Sequence, residues 1–248
     1  MNKDNLVVGI DDATKCPCIG SIFIAGVAAS AATIRKWQSL GVTDSKVVAK
    51  SKREELAPII KATANNYVID EIRPETMADN SLNLNAWEML TVLSIVSRLP
   101  GNTVYVDNWE VSGEHFSRRM AFLLSEPKVK DKGFAFNTKE LKARNFIAEH
   151  RADENYIVVG AASILAKVAS DAQYDAYRKQ YGDFGSGSPA DPRTRLFVWR
   201  HRHNPLPIIR TSWQTYKHLS GLERIEDDWL YAKVKKKPYE NKRMLESR

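Results

Sequence analysis

The sequence predicts a mixed α/β fold, a sheet with helices on its faces. Strand-like apolar runs crowd residues 5–72. Beyond them, helical periodicity alternates with short apolar stretches, one of them continuous enough to be buried on both faces. The chain has 248 residues and 43% hydrophobic content, enough for one large core, or one core plus a small appendage.

Residues 5–11 read as a strand, and Ile19 to Ala29 as a second, longer one interrupted by Gly20 and Gly26. Leu40 to Lys46 is turn-rich. Ser51 is placed to cap a helix running to about Ala64, with Glu54 at the third helical position of a capping box. Tyr67 to Ile72 reads as a strand. From Leu84 to Leu99, Trp87, Leu90, Val92, Leu93, Ile95 and Val96 recur at helical intervals, and Pro100-Gly101 ends the helix. Thr103 to Asp107 is the short buried strand, and Glu114 to Leu124 reads as helix. Residues 133–149 fit either type. Tyr156 to Tyr181, rich in alanine, carries the strongest helical pattern in the chain. Gly182 to Pro192 is loop. A helix follows from about Thr194 to His201, Pro205 and Pro207 break the chain, and Ile208-Ile209 leads to a tail of one or two helices.

No apolar run approaches the ~20 residues of a membrane span. The polar start Met1-Asn2-Lys3-Asp4 lacks the apolar centre of a signal peptide, so the sequence points to a cytosolic protein without a membrane partner. Cys16 and Cys18 are too close for an unstrained disulfide and have no zinc-like partner cluster. Net charge is +7, and residues 199–248 hold 12 Lys/Arg against 6 Asp/Glu. Trp199, Trp213, Tyr216, Trp229, Tyr231 and Tyr239 are interleaved there. Basic residues with aromatics suit a nucleic-acid backbone, and an ordinary solvated tail fits the composition equally well.

Aspartates punctuate three segments bound for the interior. Leu6-Val7-Val8-Gly9-Ile10 runs into Asp11-Asp12, Thr103 to Val106 runs into Asp107, and Asp153 precedes the long helix. A carboxylate at the mouth of a buried strand is costly unless a cation meets it, and several could share one divalent ion. Neighbouring side chains on a strand face opposite ways, so Asp11 and Asp12 serve one site only if the strand bends or ends there. Asp153 near a helix N-terminus also suits a cap. Asp44 and Asp171 are further candidates. Oxygen-only ligation points to Mg²⁺ or Mn²⁺, and two such ions about 4 Å apart can drive phosphodiester cleavage.

Taken in order, Gly9-Ile10-Asp11-Asp12-Ala13, Asp44-Ser45-Lys46, Val106-Asp107, His150-Arg151-Ala152-Asp153 and Ala161 to Val168 resemble type 2 ribonuclease H, also called ribonuclease HII. Tyr181 to Thr194 and Ile209 to Thr215 resemble its archaeal and eukaryotic branch. The similarity runs over roughly residues 5–220. It implies a ribonuclease H-like fold, a five-stranded mixed sheet flanked by helices with a C-terminal helical extension. Residues 1–220 would form the catalytic domain and 221–248 a basic helical tail. It also implies hydrolysis of the RNA strand of an RNA–DNA hybrid, or incision beside a ribonucleotide embedded in DNA, by a monomer. The family's four acidic ligands fall on Asp11, Asp12, Asp107 and Asp153, and a secondary acid on Asp171.

The sequence departs from the family pattern where substrate is read. The family's second acid is glutamate, and Asp12 is one methylene shorter. Its glycine-arginine-glycine, whose backbone senses the 2′-hydroxyl at the junction, is Thr14-Lys15-Cys16. Side chains now stand where bare backbone would meet sugar, and lysine lacks arginine's planar fork. The tyrosine that packs on the junction nucleotide is Ser188, and the usual Arg-Asp of the helix motif is Ser170-Asp171. Loss of 2′-hydroxyl readers should relax junction specificity. Lys46 and Arg210 match family positions, and with Lys15, Arg193 and Lys217 they are candidate phosphate contacts. Two rival readings are a catalytically weakened nucleic-acid-binding module, and an interaction module whose tail from Lys233 to Arg248 binds a partner protein.

Overall fold

A computed structural model of the chain describes residues 6–126, 129, 132–134 and 136–235. The basic stretch 236–248, half of the expected tail, lies outside the described residues. Five strands form one mixed sheet: β1 (Leu6–Ala13), β2 (Ile22–Ser30), β3 (Asn66–Ile72), β4 (Thr103–Asp107) and β5 (Asn145–Glu149), in the order β3-β2-β1-β4-β5. β1 pairs antiparallel with β2 and β2 with β3, while β1–β4 and β4–β5 are parallel. The helices are α1 (Ala31–Ser39), α2 (Lys50–Thr63), α3 (Pro74–Ala78), α4 (Leu84–Arg98), α5 (Gly113–Ser125), α6 (Thr138–Lys142), α7 (Ala152–Asn155), α8 (Ile157–Tyr181), α9 (Pro192–Arg200), α10 (Gln214–Ser220) and α11 (Trp229–Lys235).

Several element ends differ from the sequence expectation, each for a local reason. β2 starts at Ile22 because Gly20 takes a left-handed φ of +80°. Ile19, expected to open that strand, forms an isolated bridge with Ile209 instead. α1 follows β2 without a loop: the Ser30 side chain accepts from the Thr33 N–H and turns the chain into helix. α2 begins two residues early, since the Arg53 N–H already bonds the Ala49 carbonyl. Ala49 is therefore the cap position and Ser51 lies inside the helix, without the expected capping box. The ambiguous 133–149 segment holds both types, a short helix and then an edge strand.

By compactness the chain divides into two units. The first comprises Met1–Ala13, Ile22–Ile72 and Ser81–Asp171 and contains the whole sheet. On one face, Val27, Trp37, Leu56, Ile60, Ala162 and Leu165 belong to a single buried cluster. The other face is covered by α4, which is buried almost all round from Ala86 to Val96 and packs on β2 and β3. Alternation along β1 sends Val7 and Ala13 into the α8-side cluster. Gly9 shares that side, and its lack of a side chain lets α8 approach: a β-carbon there would stand 2.3 Å from the Val158 carbonyl.

The second unit comprises Thr14–Ser21, Arg73–Asn80 and Ala172–Arg248. Its core gathers Ile19, Tyr174, Phe184, Phe197, Ile209 and Ile225. The Tyr174 hydroxyl donates to the Ile19 carbonyl at 2.8 Å. Asp228, fully buried, accepts two bonds from Arg195 at 2.5 Å each. Burial opposes ionisation of Asp228, but the Arg195 hydrogen bonds and the Tyr231 N–H outweigh it and hold the carboxyl below the usual range.

Gly9→Ala tests the close packing of α8 on β1. Because the obstruction is backbone, which cannot rotate away, we expect a loss of roughly 3 kcal/mol, read from denaturant unfolding monitored by circular dichroism.

Candidate active site

The acidic group is built by alternation on parallel strands. On β1, residues 7, 9, 11 and 13 share the α8 side, so Asp11 faces the same way as Gly9. On β4, Tyr105 packs against the α8-side cluster, and Asp107, two residues on, shares its face. Asp153 arrives from the turn after β5, where Arg151 takes a left-handed φ of +61° and Asp153 enters the first turn of α7. The Ala152 N–H donates to Asp107 Oδ1 at 3.0 Å, fixing that turn to the end of β4. As a result Asp11, Asp107 and Asp153 each offer an oxygen within 4.8 Å of the others.

Asp12 is not brought into this group. The β1–β2 register continues regularly through Asp12↔Ile24 and Ala13↔Phe23. The left-handed break comes only at Thr14, with φ +71°. The pairing of β1 is thus unbroken at Asp12, and Asp12 is not among the three acids whose oxygens gather. Its charge is nevertheless the foremost of the neighbouring charges that keep Asp11 from ionising.

Burial raises the Asp11 carboxyl well above the ordinary range, reinforced by the charges of Asp12, Asp107 and Asp153 and relieved by a hydrogen bond with Ser163. Burial raises Asp107 as well, partly offset by the Ala152 N–H. Asp153 is pushed up to about 6, by burial first and then by the charges of Asp107 and Asp44. These oxygens lack enough positive charge from the protein itself. Asp153 Oδ2 is buried without a hydrogen-bond partner, and Lys46 Nζ stands 3.7 Å away. Three clustered carboxylates, one with an orphaned oxygen, fit a hard divalent cation.

The remaining first-unit candidates lie around this group. Asp44 is buried, accepts the Lys46 N–H at 2.8 Å and shares a hydrogen bond with Asp153. The Lys46 ammonium is exposed; burial works against its charge, but Asp153 and Asp44 more than restore it and raise its pKa. Asp171 is not gathered with the acids. It pairs with Arg53 at 2.9 Å and with Lys167 one helical turn earlier.

The second-unit candidates divide into surface and structural groups. Cys16 is an exposed free thiol and Lys217 is exposed on α10. Thr14 and Lys15 are half-buried in the segment that leaves β1. Ser188 sits in a tight turn, its hydroxyl accepting from the Ala190 N–H. Arg193 is held by Asp183 and Asp191. Arg210 departs from its expected role as a phosphate contact. It is completely buried, and its guanidinium donates to the carbonyls of Thr14 (2.6 Å), Lys15 (2.8 Å) and Gly20 (2.6 Å). Its fork is spent on backbone, so it shapes the 14–20 segment instead of meeting substrate.

Sequence reasoning missed two residues at the site. Ser163 lies beside Asp11, where it eases ionisation, and donates its hydroxyl to Ser45, and Arg53 grips the 45–48 backbone. Ser163 carried a signal, since it lies three residues after Gly160 and eight before Asp171 on one stripe of α8. Arg53 carried none, looking like one more cation on a charged helix.

The family model described as ribonuclease HII matches residues 8–216. A ribonuclease HII of Methanococcus maripaludis (strain C6) is 36% identical over 243 residues, covering 93% of this chain and 92% of the relative. A solved structure of the ribonuclease H2 from Pyrococcus horikoshii superposes with a TM-score of 0.73 at 27% identity, over 87% of this chain and 97% of that one. Ribonuclease HII of Archaeoglobus fulgidus, solved in complex with PCNA, gives a TM-score of 0.72 at 31% identity, over 89% of this chain and 99% of that one. The order of acids along the chain, the sheet that aligns three of them and these similarities agree: the chain belongs to the ribonuclease HII family.

Proposed function

We propose that the protein hydrolyses the RNA strand of RNA–DNA hybrids, or incises beside ribonucleotides embedded in DNA, using Asp11, Asp107 and Asp153 to hold Mg²⁺ or Mn²⁺. A metal-dependent endonuclease of the ribonuclease H type is what family membership supports. The observation that carries the assignment of residues is the set of three carboxylate oxygens within 4.8 Å of one another. Divalent ions bound there supply Lewis-acid stabilisation of phosphoryl oxygens and a more acidic water.

The chain's own part is placement and charge. Water attacks phosphorus in line, the P–O3′ bond breaks, and by family analogy the products end in 5′-phosphate and 3′-hydroxyl. Lys46, exposed beside Asp153, is positioned to meet a phosphate oxygen of a backbone that approaches the acidic group. Asp12 adds negative charge beside Asp11. Lys15, Arg193 and Lys217 supply phosphate attraction. Residues 1–220 would do the chemistry, with the basic stretch 221–248 adding affinity. A single chain contributes all three acids, which supports action as a monomer. A binding module without turnover is not favoured, because the acidic group is intact.

Specificity is the second part of the proposal. Thr14 keeps a left-handed backbone although it is not glycine, and Arg210 clamps its carbonyl. The 14–16 segment thus offers a glycine-like backbone course encumbered by side chains. With Ser188 where the family packs tyrosine, discrimination at the RNA-to-DNA junction should be relaxed.

Three measurements test this reading. Asp107→Asn should lower cleavage of a duplex carrying one ribonucleotide by about a thousandfold, the kinetic equivalent of several kcal/mol of lost charge stabilisation. If this variant cleaves as fast as the parent, the active-site assignment fails. Second, the Asp153 carboxyl titrates near 6 in the folded protein against 3.8 ordinarily. A raised carboxyl stabilises the metal-free fold while protonated and loses that contribution as pH rises through its folded pKa. The melting temperature of metal-free protein should therefore fall relative to Asp153→Asn between about pH 4 and pH 7, and Mg²⁺ should restore it more strongly at the upper end. A constant difference between the two proteins would contradict the assignment. Third, Thr14→Gly should relieve left-handed strain and stabilise the fold by about 1 kcal/mol. It should also sharpen preference for the ribonucleotide-containing duplex over an all-DNA duplex.

A further inference from the structure

Asp171 stands far along α8 from the clustered acids, yet it is tied to them through the chain. Gly160, Ser163, Lys167 and Asp171 recur at intervals of three and four, so they line one face of the helix. The 43–48 loop is fastened along that stripe at successive levels. At the first, a β-carbon on Gly160 would stand 3.0 Å from the Thr43 backbone, so helix and loop touch there. At the second, the Ser163 hydroxyl donates to Ser45 Oγ at 2.8 Å. At the last, Asp171 Oδ2 holds the Arg53 guanidinium at 2.9 Å. The other guanidinium nitrogen of Arg53, Nη1, donates to the carbonyls of Ser45 (2.9 Å) and Val48 (2.6 Å).

Those two carbonyls bracket Lys46 and Val47. The Arg53 side chain is nine-tenths buried, so the bracket is rigid. Within it, Asp44 accepts the Lys46 N–H, and the Lys46 side chain leaves the loop to stand by Asp153. Both Asp171 oxygens are occupied, one by Arg53 and one by Lys167. Its charge is met by two cations of the protein, and it is not among the acids whose oxygens gather.

We propose that Arg53, held by Asp171, is a positioning residue: it fixes the 44–48 loop so that the Lys46 ammonium stands over the acidic group. Asp171 then serves the reaction through Arg53 and not as a metal ligand. The inference rests on reading Lys46 as the phosphate contact. It goes beyond that reading by assigning the residues that hold Lys46 in place.

The test is a double-mutant cycle on the full chain, with a duplex carrying a single ribonucleotide and with Mn²⁺ binding followed by calorimetry. Arg53→Met and Asp171→Asn should each lower kcat/KM about tenfold to a hundredfold, the penalty of a misplaced group, and leave Mn²⁺ affinity unchanged. Lys46→Ala should show a comparable loss. In the Lys46→Ala background, Arg53→Met should cost nothing more, because the residue it positions is gone. Losses that multiply, or an Asp171→Asn variant that weakens Mn²⁺ binding as much as Asp107→Asn, would overturn the proposal while leaving Lys46 in its role. A silent Lys46→Ala would instead refute the phosphate contact, and the relay with it. If Arg53→Met does not fold, Arg53→Lys takes its place in the cycle. It keeps a charge for Asp171 but cannot span the Ser45 and Val48 carbonyls with the same planar fork.

Discussion

Mutual repulsion among three clustered carboxylates, two of them buried, governs this protein. Asp11, Asp107 and Asp153 are brought within 4.8 Å, where burial and like charge both oppose ionisation. A fold optimised only for its own stability would not keep such a group. The parallel pairing of β1 with β4 and of β4 with β5 brings their ends side by side, and α8 covers the face that the acids share. The need for α8 to come close accounts for Gly9, and the need to aim Asp153 accounts for the left-handed turn at Arg151. The sheet is a frame that holds negative charge where a divalent cation can collect it.

The legible part of the fold was the part set by short-range pattern. β1, β3, β4, α4 and α8 show their period in the sequence, because each has a buried face whose spacing follows from local geometry. What escaped depended on partners elsewhere. Ile19 looked like strand and became an isolated bridge, since Gly20 turns the chain and Ile209 lies waiting. α1 was hidden because its alanines run on from those of β2, and the signal was one serine cap. Ser51 offered a capping box that the backbone passes over, starting α2 at Lys50.

The site was legible to the same degree and for the same reason. Asp11, Asp107 and Asp153 could be read from strand ends and motif order. The place of Asp12 depended on the course of β1, which a sequence does not reveal, and the β1–β2 register runs unbroken through it. Arg210 has the composition of a phosphate contact and the surroundings of a structural clamp. Charge on a side chain says nothing about whether carbonyls will claim it first. Arg53 is the reverse case, a plain helix-surface cation in the sequence that burial turns into the anchor of a loop.

The order in which the acids occur along the chain has a consequence for biosynthesis. β1, β2 and β3 form an antiparallel meander from consecutive segments, so they can pair while later residues are still being made. Asp107 joins only when β4 crosses to the far side of β1, and Asp153 only after β5 has been added. A nascent chain therefore meets no cluster of like charge until all five strands have been made. Distant pairing of this kind slows folding. In return, the electrostatic burden is deferred until the five strands have been made, and α8, which follows them in the chain, packs on the face that the acids share.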